Sequence, residues 1–101
     1  MIVVNGTIEA TPETIEAMRD AVATMEAASR AEPGCQDYTF SVELSNPSML
    51  RITEKWDDMD ALAAHFAMPH MAEFRAAMAA HPPISTNVSF YEATDVAPPG
   101  M

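Results

Sequence analysis

Residues 2–9 alternate, with Ile2, Val4, Gly6 and Ile8 on one side and Val3, Asn5, Thr7 and Glu9 on the other, the two-residue period of a half-buried strand. At Thr11 the period changes. Thr11-Pro12-Glu13-Thr14 offers an N-cap, a proline at the first helical position and an early acid. Ile15, Met18, Val22 and Met25 follow at helical spacing, which predicts one long amphipathic helix to about Arg30. Glu32-Pro33-Gly34 breaks it. Gln36, Tyr38, Phe40, Val42 and Leu44 then alternate with Asp37, Thr39, Ser41 and Glu43 as a second strand, Ser45 to Ser48 form a turn, and Met49 to Trp56 return as a third. So short a connection makes the pair an antiparallel hairpin. Asp57-Asp58 opens a helix with negative charge where its dipole favours it, and Met59, Leu62, Ala63 and Phe66 form the buried stripe. Pro69 predicts a kink or split before Met71, Phe74 and Met78 resume the spacing. After His81-Pro82-Pro83, Ile84, Thr86, Val88 and Phe90 alternate with Ser85, Asn87, Ser89 and Tyr91 as a last strand. A flexible tail is expected over 96–101.

The order strand, helix, strand, strand, helix, strand is that of a ferredoxin-like α+β fold, with both helices on one face of an antiparallel sheet. The other face is expected to carry apolar side chains as well, and a second subunit is their natural cover. At 101 residues the chain forms one domain, and 49% hydrophobic against 20% charged residues marks it as globular. A formal charge of −10 with no Lys/Arg cluster excludes nucleic acid and anionic membrane as partners. Cys35 is the lone cysteine, so no internal disulfide forms and a reducing cytoplasm is expected. No basic leader and no membrane-length apolar run is visible.

Ile52-Thr53-Glu54-Lys55-Trp56-Asp57-Asp58, followed by Ala61 to Phe66 and the Met68-Pro69-His70-Met71 run, resembles the antibiotic biosynthesis monooxygenase family. Glu32-Pro33-Gly34-Cys35 resembles that family's Glu-x-Gly before the second strand. The likeness is greatest to its quinol monooxygenase and autoinducer-processing branches. It implies a dimeric α/β barrel of ferredoxin-like subunits and oxygenation of a quinol-like or polyketide-like aromatic by O2, without metal, flavin or other cofactor. Two alternatives stand beside it: a non-catalytic dimeric ligand-binding or scaffold module, and an isomerase of the autoinducer-processing type. Haem degradation is disfavoured, because the iron-ligating histidine of the haem-degrading relatives aligns close to Arg75 and their haem-distorting tryptophan with His65.

Whatever the aromatic, a phenol must lose its proton before it gives an electron to O2, so the chemistry needs an apolar pocket and one base. His65 is the expected base, because imidazole ordinarily titrates near neutral pH; the plainer alternative is a packed helix residue. Trp56 is expected to stack on the ligand or donate from its indole N–H, or else to be core. The pocket is expected between helices and sheet, lined by Phe40, Leu62, Phe66, Phe74 and Phe90, with His70 at its mouth. Asn5 and Arg75 match functional positions of relatives loosely. Asn5 equally reads as an ordinary strand residue, and Arg75 as the partner of Glu73 or Asp60. A metal is not expected: five residues on a helix is about 140° of rotation, so the rings of His65 and His70 should diverge. The nine methionines read as core filler.

Overall fold

In the computed structural model, which describes residues 1–100, the alternation at the N-terminus becomes β1 (Ile2–Glu9), an inner strand of a four-stranded sheet. The helical spacing resolves into α1 (Pro12–Ala17) and α2 (Arg19–Arg30), followed by β2 (Cys35–Glu43) and β3 (Asn46–Trp56). Then come α3 (Met59–Phe66), α4 (Pro69–Ala80) and β4 (Ser85–Glu92). The strand order is β2-β3-β1-β4, and every neighbouring pair is antiparallel. This is the ferredoxin-like α+β arrangement expected, and among the described residues no helix is long and apolar enough to cross a membrane.

Three local features differ from the reading by period. The first helix is two helices, because the Met18 N–H is shared between the Thr14 and Ile15 carbonyls and the turn tightens there. The break lets α1 lie against β3 while α2 packs on β2 and α4. The hairpin is also tighter than expected, since Glu43 already pairs with Asn46. Pro47 lies next to a register shift in the β2–β3 ladder, where a missing N–H is tolerated. Third, the far face of the sheet is mostly polar. Asn5, Thr7, Thr39, Ser41, Arg51, Thr53, Asn87 and Ser89 share it, and Val3, Met49 and Tyr91 are its apolar members. The alternation confines nearly all apolar side chains to one side, so an apolar far face is not the reason for any second subunit.

The core lies between the helices and the near face, where Ile2, Val4, Tyr38, Ile52 and Trp56 meet Met18, Met25, Leu62 and Phe74. The helices pack chiefly on β2 and β3. Consequently β4 is left bare, with Val88 37% and Phe90 50% exposed. Beyond β4 the chain is tied at Ala93, whose N–H donates to the Met1 carbonyl at 2.9 Å and whose carbonyl accepts the Met1 amino group at 3.1 Å, and residues 93–100 carry no helix or strand. Met101, the end of the expected tail, lies outside the described residues.

Candidate functional site

Gly34 sets the site's geometry. It adopts φ +81°, where a side chain is strained, and a Cβ on it would meet the Ala61 Cβ at 2.7 Å. The turn before β2 therefore sits directly on α3. Gly34 also accepts the Asp57 N–H at 2.8 Å, which draws the start of α3 to the same place. Asp58 caps that helix by accepting the Ala61 N–H at 2.9 Å. Three residues apart on the inner face, Leu62 and His65 turn into the core.

His65 is 0% exposed. Its Nδ1 lies 2.7 Å from Oε2 of the buried Glu32, and Nε2 of His70 reaches the same oxygen at 2.8 Å. The two rings converge rather than diverge, because Pro69 begins a separate helix and rotation per residue does not carry across the break. Glu32, His65 and His70 each present one donor atom, all within 4.8 Å of one another, and these are residue types that a divalent transition ion accepts. The spacings to Glu32 are those of charge-assisted hydrogen bonds, shorter than the ~3.3 Å between ligands of a tetrahedral zinc. We read the three as a hydrogen-bonded clamp between the α2–β2 turn and the two halves of the split helix.

Behind this clamp stand aromatic rings. Trp56, fully buried at the end of β3, lies 4.6 Å from the His65 ring, and Tyr38 lies 5.3 Å from it. The Trp56 indole N–H donates to Glu54 Oε1 at 3.0 Å. Leu50, Ile52, Glu54 and Trp56 share the helix side of β3, so Glu54 is an acid on a buried face, 7% exposed. Its Oε1 is 4.0 Å from His65 Nε2, too far for a hydrogen bond, and Nε2 has no other partner. Burial pushes the Glu54 carboxyl up from its ordinary value; the Trp56 N–H and His65 oppose that rise and the Glu32 charge adds to it. Burial, with the Glu54 charge second, likewise pushes the Tyr38 phenol up.

An apolar cleft of about 260 Å³ opens between α3, α4 and the bare helix side of β4. Phe40, Phe66, Phe74 and Phe90, four of the aromatic residues placed in the pocket from the sequence, line it, with Arg75, Met71 and Val88. Glu54 is the one acid in its wall. The other expected residues lie elsewhere. Trp56, Leu62 and His65 are packed behind the wall, because the core takes the inner face of α3 and the end of β3. His70 borders a separate depression with Asp20 and Glu73. Asn5 sits on the far face, where its Oδ1 accepts the Thr53 hydroxyl at 3.2 Å in a polar groove with Arg51 and Asn87. Arg75 pairs with neither Glu73 nor Asp60, and its guanidinium lies 6.0 Å from the Phe66 ring centre. Period reading missed Glu32 and Glu54. For Glu54 the signal was present, an acid at an inward position between Ile52 and Trp56; for Glu32 it was hidden in a Glu-Pro-Gly turn.

The sequence profile of antibiotic biosynthesis monooxygenases matches residues 1–77. An uncharacterised Synechocystis protein is 34% identical over 73 residues, covering 72% of this chain and 50% of that protein, so the chain spans about half the length of this curated relative. Among solved structures, a Deinococcus radiodurans protein described as a candidate antibiotic biosynthesis monooxygenase superposes with a TM-score of 0.88 at 30% identity, covering 97% of each chain. A conserved protein from Methanosarcina mazei gives 0.84 at 25% identity over 92% of each. The chain belongs to the antibiotic biosynthesis monooxygenase family.

Proposed function

We propose that this protein is a cofactor-independent monooxygenase that oxygenates a small quinol-like or polyketide-like aromatic with O2. One observation carries the reading: a cleft walled by four phenylalanines holds a single carboxylate, Glu54, which burial keeps less acidic than usual. A phenol reduces O2 readily only as the phenolate, so a dry aromatic pocket with one proton acceptor meets the requirement. For a hydroquinone, the O–H bond breaks towards the acceptor, O2 adds to a ring carbon, and the peroxide O–O bond then breaks. One oxygen stays on the ring and the other leaves as water. The substrate supplies all the electrons and becomes a hydroxyquinone, so no external reductant enters.

In this reading the ring lies among Phe40, Phe66, Phe74 and Phe90, with Arg75 at the wall to favour the phenolate. The same proposal includes a homodimer and a cytoplasmic setting. Exposed apolar residues of β4 border the cleft, and one thiol suits a reducing compartment. The test is oxygen uptake with a panel of hydroquinones and dihydroxynaphthalenes, using protein exhaustively treated with chelator. Uptake should proceed with isotopically labelled O2, leaving one labelled atom in each product. The sealed position of His65 favours a second reading, a non-catalytic ligand-binding module. Micromolar binding of panel aromatics without any oxygen uptake would select that module and end the enzyme proposal.

A further inference from the structure

We infer that Glu54 is the group that takes the substrate's proton, and that His65 and Glu32 behind it are positioning residues that fix how it does so. The inference deepens the monooxygenase reading and rests on it for the identity of the substrate.

Geometry carries the assignment. His65 is sealed from the cleft, so nothing bound there touches its ring. Glu54 spans the wall: Oε1 is held from behind by the Trp56 N–H, while Oε2 has no protein partner and is not among the sealed polar atoms. Since Glu54 lines the cleft, that second oxygen is the one left to meet a ligand bound there. Glu32, as a carboxylate, accepts from His65 Nδ1, which fixes the ring's tautomer and leaves a lone pair on Nε2. The lone pair faces Glu54 Oε1 across 4.0 Å. Two acceptors face each other with no proton between them, so a proton arriving on Glu54 gains a partner that the resting carboxylate lacks once the carboxyl turns that proton towards Nε2 and closes the distance to hydrogen-bond length. The phenolic O–H bond breaks, the proton goes to Glu54, and the Glu54–His65 pair shares it until reduced oxygen takes it back as water forms.

The charges acting on Glu54 are few. His65 stands over it from α3, Glu32 from the α2–β2 turn, Tyr38 and Cys35 from β2, Trp56 on its own strand, and Arg75 across the cleft from α4. Of these, the Trp56 N–H and a charged His65 lower its pKa and the Glu32 charge raises it, whereas the lone pair of a neutral His65 supports the protonated carboxyl.

The decisive comparison uses Glu54→Gln, His65→Asn and Glu32→Gln, each checked for folding by circular dichroism. His65→Asn keeps an amide donor for Glu32 and removes Nε2. With the most active quinol of the panel, Glu54→Gln should lower kcat by about 10²–10⁴-fold with KM within about threefold, the range of a lost proton acceptor. In wild type, kcat/KM should rise with pH as Glu54 ionises. That limb should move to lower pH in His65→Asn, which removes the acceptor that protonated Glu54 gains, and to lower pH in Glu32→Gln, which removes the charge that raises it; a purely structural role moves neither. Infrared titration of the Glu54 carboxyl in ligand-free protein should show the same downward shifts, and it reads the network even where no quinol is oxidised. Folded Glu54→Gln with wild-type kcat overturns the inference, as does a Glu54 band that titrates identically in wild type, His65→Asn and Glu32→Gln. Downward infrared shifts in both variants without oxygen uptake from any quinol would instead fail the monooxygenase reading and leave the pairing intact.

Discussion

His65 is an ionisable ring with no exposure, and a buried polar group is tolerated only where its hydrogen bonds are made. Glu32 makes that bond and a second one to His70. Removing it strands two ring nitrogens, so Glu32→Ala should cost about 2–4 kcal/mol in urea unfolding. A loss below about 0.5 kcal/mol would mean that the clamp adds nothing to stability. Glu54 gives a pH test with a definite sign. Its native carboxyl is raised by burial above 4.5, so the native state holds this proton more tightly than the unfolded chain does. The resulting penalty is absent below the unfolded value and grows as pH rises through the native one. Glu54→Gln cannot ionise, and it should therefore gain stability relative to wild type as pH rises from the unfolded value towards the raised native one, and keep that gain above it. A stability difference independent of pH, or one falling with pH, sinks the argument. At this scale the sequence was partly legible. The cleft phenylalanines followed from alternation and helical spacing, whereas the partner of His65 lies 33 positions away and no local period points to it.

Elements were read well where a residue imposes its own backbone. Pro69 lacks the N–H to continue α3 and fits the first turn of α4, so the split was legible; what it does to the rings of His65 and His70 was not, because that depends on how two helices pack. At Met18 neither proline nor glycine marks the break between α1 and α2, and tertiary packing alone decides it. The polar far face was legible in the alternation itself, since Asn5, Thr7 and Glu9 are spelled out against Ile2, Val4 and Ile8. Gly34 is the element-scale test. Its φ of +81° and the 2.7 Å approach to Ala61 both oppose a methyl group. Gly34→Ala should cost about 1–3 kcal/mol, read as a lower Tm. Gly100→Ala is the control, with a similar φ of +78° and nothing within 4 Å. Equal effects at the two positions would mean that strain alone, and not the seating of α3 on the turn, sets the loss.

At the scale of the whole molecule the open question is what covers β4. The far face is polar, so the homodimer proposed above draws its support from the other side. There Phe66 at 41%, Val88 at 37% and Phe90 at 50% exposure surround the cleft, and Ile84 extends the apolar edge. A single copy leaves this surface wet. Burying it against a second copy stabilises at about 25 cal/mol per Å² of apolar area and dries the cleft that oxygenation needs. A stable pair should bury about 1,500–2,500 Å² in total. Charge opposes association, because each chain carries −10 and the repulsion is screened by salt. Light scattering should therefore give twice the 10.9 kDa chain mass, with dissociation at low protein concentration suppressed as salt rises. Phe90→Asp places a charge where apolar contact is required and should yield monomers that keep the fold. Those monomers should lose oxygen uptake together with the dimer. A wild-type chain that is monomeric at micromolar concentration in high salt would remove the dimer. A Phe90→Asp protein that still associates would move the interface away from β4, leaving the cleft to exclude water by its own four phenylalanines.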